Sequence, residues 1–174
     1  LEGFGERIAL GDLDGDGRDE ILASSDFGND VRALDPETDS ELWRIPGDYD
    51  PSELLVADLD PSPGSEAIVQ SYYSGISIRS GANGDVIRAH AAQTNSVSRF
   101  AAADSDGDGD LELLWGANSC CYSDGIWALE GGSNVVLKVA DDTNILAGGF
   151  AVGAFGDGLV QEVAVASAVS YYYQ

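Results

Sequence analysis

Short apolar runs separated by polar turns recur along the whole chain. No stretch of useful length carries the 3.6-residue spacing of an amphipathic helix. The segment IALGDLDGDGRDEILAS at 8–24 returns as LLVADLDPSPGSEAIVQ at 54–70 and as FAAADSDGDGDLELLWG at 100–116. A worn copy, FAVGAFGDGLVQEVAVA, occupies 150–166. The closing glutamates Glu20, Glu66, Glu112 and Glu162 stand 46, 46 and 50 residues apart. A period of that size marks a repeat architecture.

Each copy reads as four short strands. The first is small and apolar (8–11, 54–57, 100–103, 150–153), and an acidic loop follows it. The second, such as EILAS or ELLWG, is almost continuously apolar, as suits a strand covered on both faces. The third (VRALD, ISIRS, IWALE) alternates as a half-buried strand does, and a turn such as PETDS or GANGD leads into the fourth (ELWRI, DVIRA, VVLKV). Four strands in about 46 residues is the size of a propeller blade. The predicted fold is therefore all-β, a single propeller segment with blades near 7–47, 53–91, 99–140 and 149–174. Trp43, Trp115 and Trp127 are expected to pack between sheets, and His90 to be an ordinary surface residue. The last copy stops at SYYYQ, where its third strand would begin. About three and a half blades leave a sheet edge open, so the expectation is part of a larger propeller, or closure by a neighbouring chain.

Composition narrows the partners. With 174 residues the chain can bury a real core. It carries 31 acidic residues against 8 basic ones, a net charge of -23, which argues against nucleic acid. It suits cations and a saline or extracellular solvent. No apolar run approaches a membrane span, and no signal peptide is evident.

The acidic loops supply the candidate chemistry. With Asp12 at position one, Asp14, Asp16, the Arg18 carbonyl and Glu20 fall at positions three, five, seven and nine. Asp104, Asp106, Asp108, the Asp110 carbonyl and Glu112 repeat the set. Alternate oxygens on a tight turn suit a hard cation, which takes six to eight oxygens at about 2.3–2.6 Å. Gly15 and Gly17, with Gly107 and Gly109, let the backbone turn. The second loop keeps Asp58, Asp60 and Glu66, with Ser62 at five and Gly64 at seven, but Pro63 replaces a turning glycine. A weaker or altered site is expected there. The fourth loop has Ala154, Gly156 and Gly158 at the ligand positions and is expected to bind nothing. An EF-hand would need glutamate at position twelve between helices, whereas Ala23 and Trp115 stand there between strands. Calcium suits these loops better than magnesium, which demands tighter octahedral geometry.

These loops, D-x-D-x-D-G-x-x-[DE] at 12–20 and 104–112 and less fully at 58–66, resemble the FG-GAP/VCBS calcium-binding β-propeller repeats. Such repeats occur in integrin α-subunit headpieces, fungal integrin-like lectins and some bacterial polysaccharide lyases. The resemblance implies calcium loops on one face of the propeller and ligands on the opposite face. A second, local resemblance joins ALDPETDSELW at 33–43 to one quinoprotein propeller repeat, with Asp39 where that pattern prefers glycine.

The links between second and third strands would lie opposite the calcium loops. They bring Phe27, Tyr72, Tyr73, Tyr122, Tyr171 and Tyr172 toward one rim, able to stack on sugars, anchor a protein, or cap blade interfaces. Cys120 and Cys121 are adjacent and can be free thiols, a metal pair or a vicinal disulfide. An extracellular setting favours the disulfide. The leading expectation is a non-catalytic extracellular module for adhesion or recognition of a glycan or protein. The alternatives are a polysaccharide-lyase-type enzyme and a structural subunit of an extracellular fibre or sheath.

Overall fold

The computed structural model describes residues 4–25, 30–46, 51–60, 64–71, 75–90, 97–117, 125–130, 136–141, 147–153 and 162–167. Every element among the described residues is a strand. The chain forms two compact units, Leu1–Ala92 and Gln93–Gln174.

The first unit holds two antiparallel sheets. One runs β1 (Phe4–Gly11), β2 (Glu20–Ser25), β3 (Val31–Asp35) and β4 (Ser40–Ile45). The other runs β5 (Pro51–Ala57), β6 (Glu66–Ser71), β7 (Gly75–Arg79) and β8 (Val86–His90). In the second unit β9 (Val97–Ala103), β10 (Glu112–Ala117), β11 (Gly125–Leu129) and β12 (Val136–Asp141) form a third sheet. There β13 (Ala147–Gly153) and β14 (Glu162–Ser167) pair alone among the described residues. Within each sheet the strands pair in sequence order, the meander that makes a propeller blade.

The first strands are longer than their sequences suggested. They begin at Phe4, Pro51, Val97 and Ala147, several residues before the clear apolar runs. In all four sheets a register shift interrupts this outer part of the ladder, as between Phe4 and Ile8 on β1 or Pro51 and Glu53 on β5. Extra residues at such a bulge restart pairing where simple alternation has failed, so the pattern gave no sign of it.

Packing explains the small first strands. Leu22, Val31, Ala33, Trp43 and Ile45 of the first blade bury themselves against Leu54, Ala67 and Val69 of the second. Each large side chain so buried contributes roughly 1.5–3 kcal/mol. A Cβ on Gly11 would come within 2.5 Å of Val56 Cγ1, so a larger residue there would force the blades apart. Trp43 lies against Gly84, and its indole N–H donates to the Gly81 carbonyl. Trp43 and Trp115 are buried, as packing residues should be, and Trp127 stands half-buried opposite Trp115. In the second unit Ala103, Leu114 and Ala128 form a core against which Val152 packs. His90 is half-buried rather than an open surface residue, with Nε2 buried and without a hydrogen-bond partner among the described residues. Burial, then the nearby Arg88 charge, lowers its pKa from the usual 6.5.

Candidate metal centre

The loop from Asp12 to Glu20 joins the ends of β1 and β2, which pair at Gly11 and Glu20. Its turn is built by its own carboxylates. Asp12 accepts from the amides of Gly15 (Oδ1, 2.7 Å) and Gly17 (Oδ2, 2.9 Å). Asp14 Oδ1 accepts from Asp16 N at 3.1 Å, and Asp16 Oδ1 from Arg18 N at 2.9 Å. Gly15 and Gly17 have φ of 82° and 91°, a region that costs other residues strain. Asp12, Asp14 and Glu20 bring one carboxylate oxygen each within 4.8 Å of one another, an arrangement that could hold a metal ion. The Arg18 side chain turns away, to Glu37.

The loop from Asp104 to Glu112 repeats this bond for bond. Asp104 accepts from Gly107 (2.6 Å) and Gly109 (3.2 Å). Asp106 accepts from Asp108 at 3.1 Å, and Asp108 from Asp110 at 2.9 Å. Here Asp104, Asp106 and Asp108 converge within 4.8 Å. Like charges so close repel by an amount on the order of a few kcal/mol per pair at a protein surface. A cation held among them reverses that sign.

The closing glutamates do more than the spacing suggested. Glu20, Glu66 and Glu112 are only 2, 1 and 5% exposed. Each turns Oε2 back onto the amide of loop position two: Leu13 at 2.8 Å, Leu59 at 2.7 Å and Ser105 at 2.6 Å. Asp14 N also donates to Glu20, and the Ser105 hydroxyl to Glu112. Burial raises the pKa of Glu20 above its ordinary 4.5. The Leu13 and Asp14 amides oppose that rise, and the Asp14 and Asp16 charges add to it. Glu112 Oε1 is buried with no hydrogen-bond partner among the described residues, a cost that a bound cation would relieve.

The second loop serves the first. Ser65 N donates to the Asp12 carbonyl at 2.7 Å. Gly64, at φ 85°, lies so close that a Cβ would meet the Leu13 carbonyl oxygen at 2.7 Å. Leu13 and Leu59, at position two, are buried. Sequence reading gave them no role, although a leucine inside an acidic loop was the available signal. Asp30 was missed too. It is buried before β3 and paired with Arg44 at 2.5 Å and Arg32 at 3.3 Å. Several predicted residues lie outside the described ones: Ser62 and Pro63, the fourth loop at 154–161, Phe27, Tyr72, Tyr73, Cys120, Cys121, Tyr122, Tyr171 and Tyr172.

Compared with known proteins, residues 4–39 match the FG-GAP repeat family. No curated protein matches the chain. Among solved structures, the Bacillus licheniformis rhamnogalacturonan lyase PL11 is similar over 92% of this chain, with TM-score 0.63 and 15% identity. The V. cholerae biofilm matrix protein Bap1 is similar over 91%, with TM-score 0.54 and 24% identity. The chain spans 39% and 27% of the length of those two proteins. The likeness is one of fold, and it places these sheets among β-propeller-like proteins. No helix among the described residues is long and apolar enough to cross a membrane.

Proposed function

We propose that this chain, whose residues 4–39 match the FG-GAP repeat family, is a calcium-stabilised, non-catalytic propeller module for recognition or adhesion outside the cell. The carrying observation is the pair of loops at 12–20 and 104–112, with matching hydrogen bonds and converging carboxylates. The buried Glu112 Oε1, with no hydrogen-bond partner among the described residues, supports a cation at the second of these loops. Asp12, Asp14, Asp16, the Arg18 carbonyl and Glu20 hold one ion, and Asp104, Asp106, Asp108, the Asp110 carbonyl and Glu112 another. Asp58, Asp60, Ser62, the Gly64 carbonyl and Glu66 form a weaker third site. Calcium fits because it accepts six to eight oxygens in flexible geometry, and extracellular calcium is abundant enough to fill modest sites. The ligand is a glycan or protein, and its candidate contacts, Tyr72 in the first unit and Tyr122 with a Cys120–Cys121 disulfide in the second, lie outside the described residues. The likeness to a biofilm matrix protein agrees with a place outside the cell.

Titration calorimetry on chelator-stripped protein tests the metal: two strong sites are expected, and Asp14→Ala and Asp106→Ala should each remove one. Absence of calcium heat, with melting unchanged by chelator, would overturn the reading. A glycan array in saturating calcium tests the rim: Tyr72→Ala or Tyr122→Ala should lose binding while calcium stoichiometry stays. A polysaccharide-lyase-type enzyme is the second reading, favoured by the likeness to the rhamnogalacturonan lyase. An unsaturated product from an acidic polysaccharide, detected by its ultraviolet absorbance, would decide for it.

A further inference from the structure

Leu13 stands between two proposed ligands of the first loop, Asp12 and Asp14, and is fully buried. Its amide donates to a third, Glu20, at 2.8 Å. Its side chain belongs to the cluster that also holds Leu54, Ala67 and Val69 of the second blade. The main chain around it is gripped by that blade as well. Ser65 N donates to the Asp12 carbonyl at 2.7 Å. Gly81, in the turn between β7 and β8, approaches so closely that a Cβ there would run into the Leu13 and Ser65 carbonyl oxygens and stand 2.9 Å from Leu13 Cα. Trp43 of the first blade closes the circuit: its indole N–H donates to the Gly81 carbonyl, and its ring packs on Gly84. The loop at 104–112 has Ser105 in the place of Leu13. That residue is half-buried and turns both amide and hydroxyl to Glu112 at 2.6 Å. Both loops close on their own glutamate, and the first is held by a neighbouring blade besides.

That grip bears on the cation. Converging carboxylates repel one another, and a loop free to spread would separate them. Fixing the Asp12 and Leu13 main chain during folding removes that freedom before the ion arrives, and such preorganisation raises affinity. Resting on the calcium reading above, we propose that the first calcium site is shared by two blades. Ser65, Gly81 and Trp43 are positioning residues for it, and calcium there locks the first blade to the second. The coupling is reciprocal: the contact that tightens calcium is tightened by calcium to the same degree.

Calcium titration calorimetry on the chelator-stripped full chain tests this, with one strong site removed at a time. In the Asp106→Ala background, which leaves the first loop, Gly81→Ala should weaken calcium by roughly tenfold, an ordinary size for coupling between two sites. Trp43→Phe keeps a ring near Gly84 but loses the donor, and should weaken calcium about threefold. If Gly81→Ala fails to fold by near-ultraviolet circular dichroism, Trp43→Phe decides. In the Asp14→Ala background, which leaves the loop at 104–112, both substitutions should leave affinity unchanged. Val69→Ala loosens the same blade contact away from the loop, so it should lower the melting temperature without changing calcium affinity. Exchange of the Trp43 indole proton, followed by nuclear magnetic resonance, should slow when calcium is added to the wild type but not to Asp14→Ala. Wild-type affinity at the first loop in both Gly81→Ala and Trp43→Phe overturns the proposal. An equal loss from Val69→Ala overturns it too, as does indole protection that persists in Asp14→Ala. In each of these cases calcium would still bind at 104–112 and the calcium reading would stand, whereas no calcium heat from either background removes both.

Discussion

The loops at 12–20 and 58–66 occupy the same place in adjacent blades, and they share one bond. In both, a buried glutamate accepts from the amide of the residue at position two. The first surrounds that bond with aspartates, of which Asp12 closes on the Gly15 and Gly17 amides. The second instead offers Gly64 and Ser65 as a support for its neighbour. Two jobs that look like one in the repeat are therefore separable. The glutamate ties the end of the first strand to the start of the second, and the aspartates close the turn and bring together carboxylates that could hold a cation.

That separation can be broken or sharpened by experiment. Removing calcium should have the largest effect, since each strong site stabilises folding by about 2.7 kcal/mol when free calcium is about a hundredfold above its Kd. Differential scanning calorimetry with and without chelator would show it, and equal melting would contradict two strong sites. Next comes Leu13→Ala, which empties a fully buried position and should cost about 3 kcal/mol in denaturant unfolding. A cost near zero would mean that the loop leucine does not anchor the blade.

Glu66→Gln sharpens the contrast most directly. Losing a charged, buried acceptor should cost roughly 1–3 kcal/mol yet leave the two strong calcium sites intact in calorimetry. Loss of a strong site instead would tie the two jobs together again. The smallest effect concerns protons. Glu20 has a raised pKa when folded, so the folded chain holds that proton more tightly than the unfolded chain does. Calcium-free stability therefore falls as pH rises through the window just above 4.5, then levels off. Melting temperatures in chelator should show this slope, and Glu20→Gln should flatten it. With calcium present the slope should reverse, because proton and cation compete for the same carboxylate.

Much of this was legible in the chain. Period, loop position and turning glycines follow from Asp12, Gly15, Gly17 and Glu20 and their later copies, because main-chain geometry at such turns depends on local residues. Pro63, which sets the second loop apart in the sequence, lies outside the described residues, and the part played by Gly64 and Ser65 could not be recognised. Their role depends on the Leu13 carbonyl, about fifty residues away in sequence and close only after folding. The longer first strands were hidden for a related reason: a bulge satisfies backbone groups without preserving the side-chain alternation that reveals a strand. Asp30 escaped notice because its partners, Arg32 and Arg44, lie on two different strands.

The fit of Gly64 against the first loop limits how freely such repeats can be exchanged. Grafting the sequence of 12–20 onto 58–66 would restore every aspartate that the second loop lacks, and it would also place arginine at 64. That position has φ of 85° and faces the Leu13 carbonyl oxygen at 2.7 Å from any added Cβ. The transplanted loop would gain its ligands and push apart the one beside it. The two loops share one sequence pattern, but the second is fitted to the first at Gly64, and only a graft that keeps glycine there respects that fit.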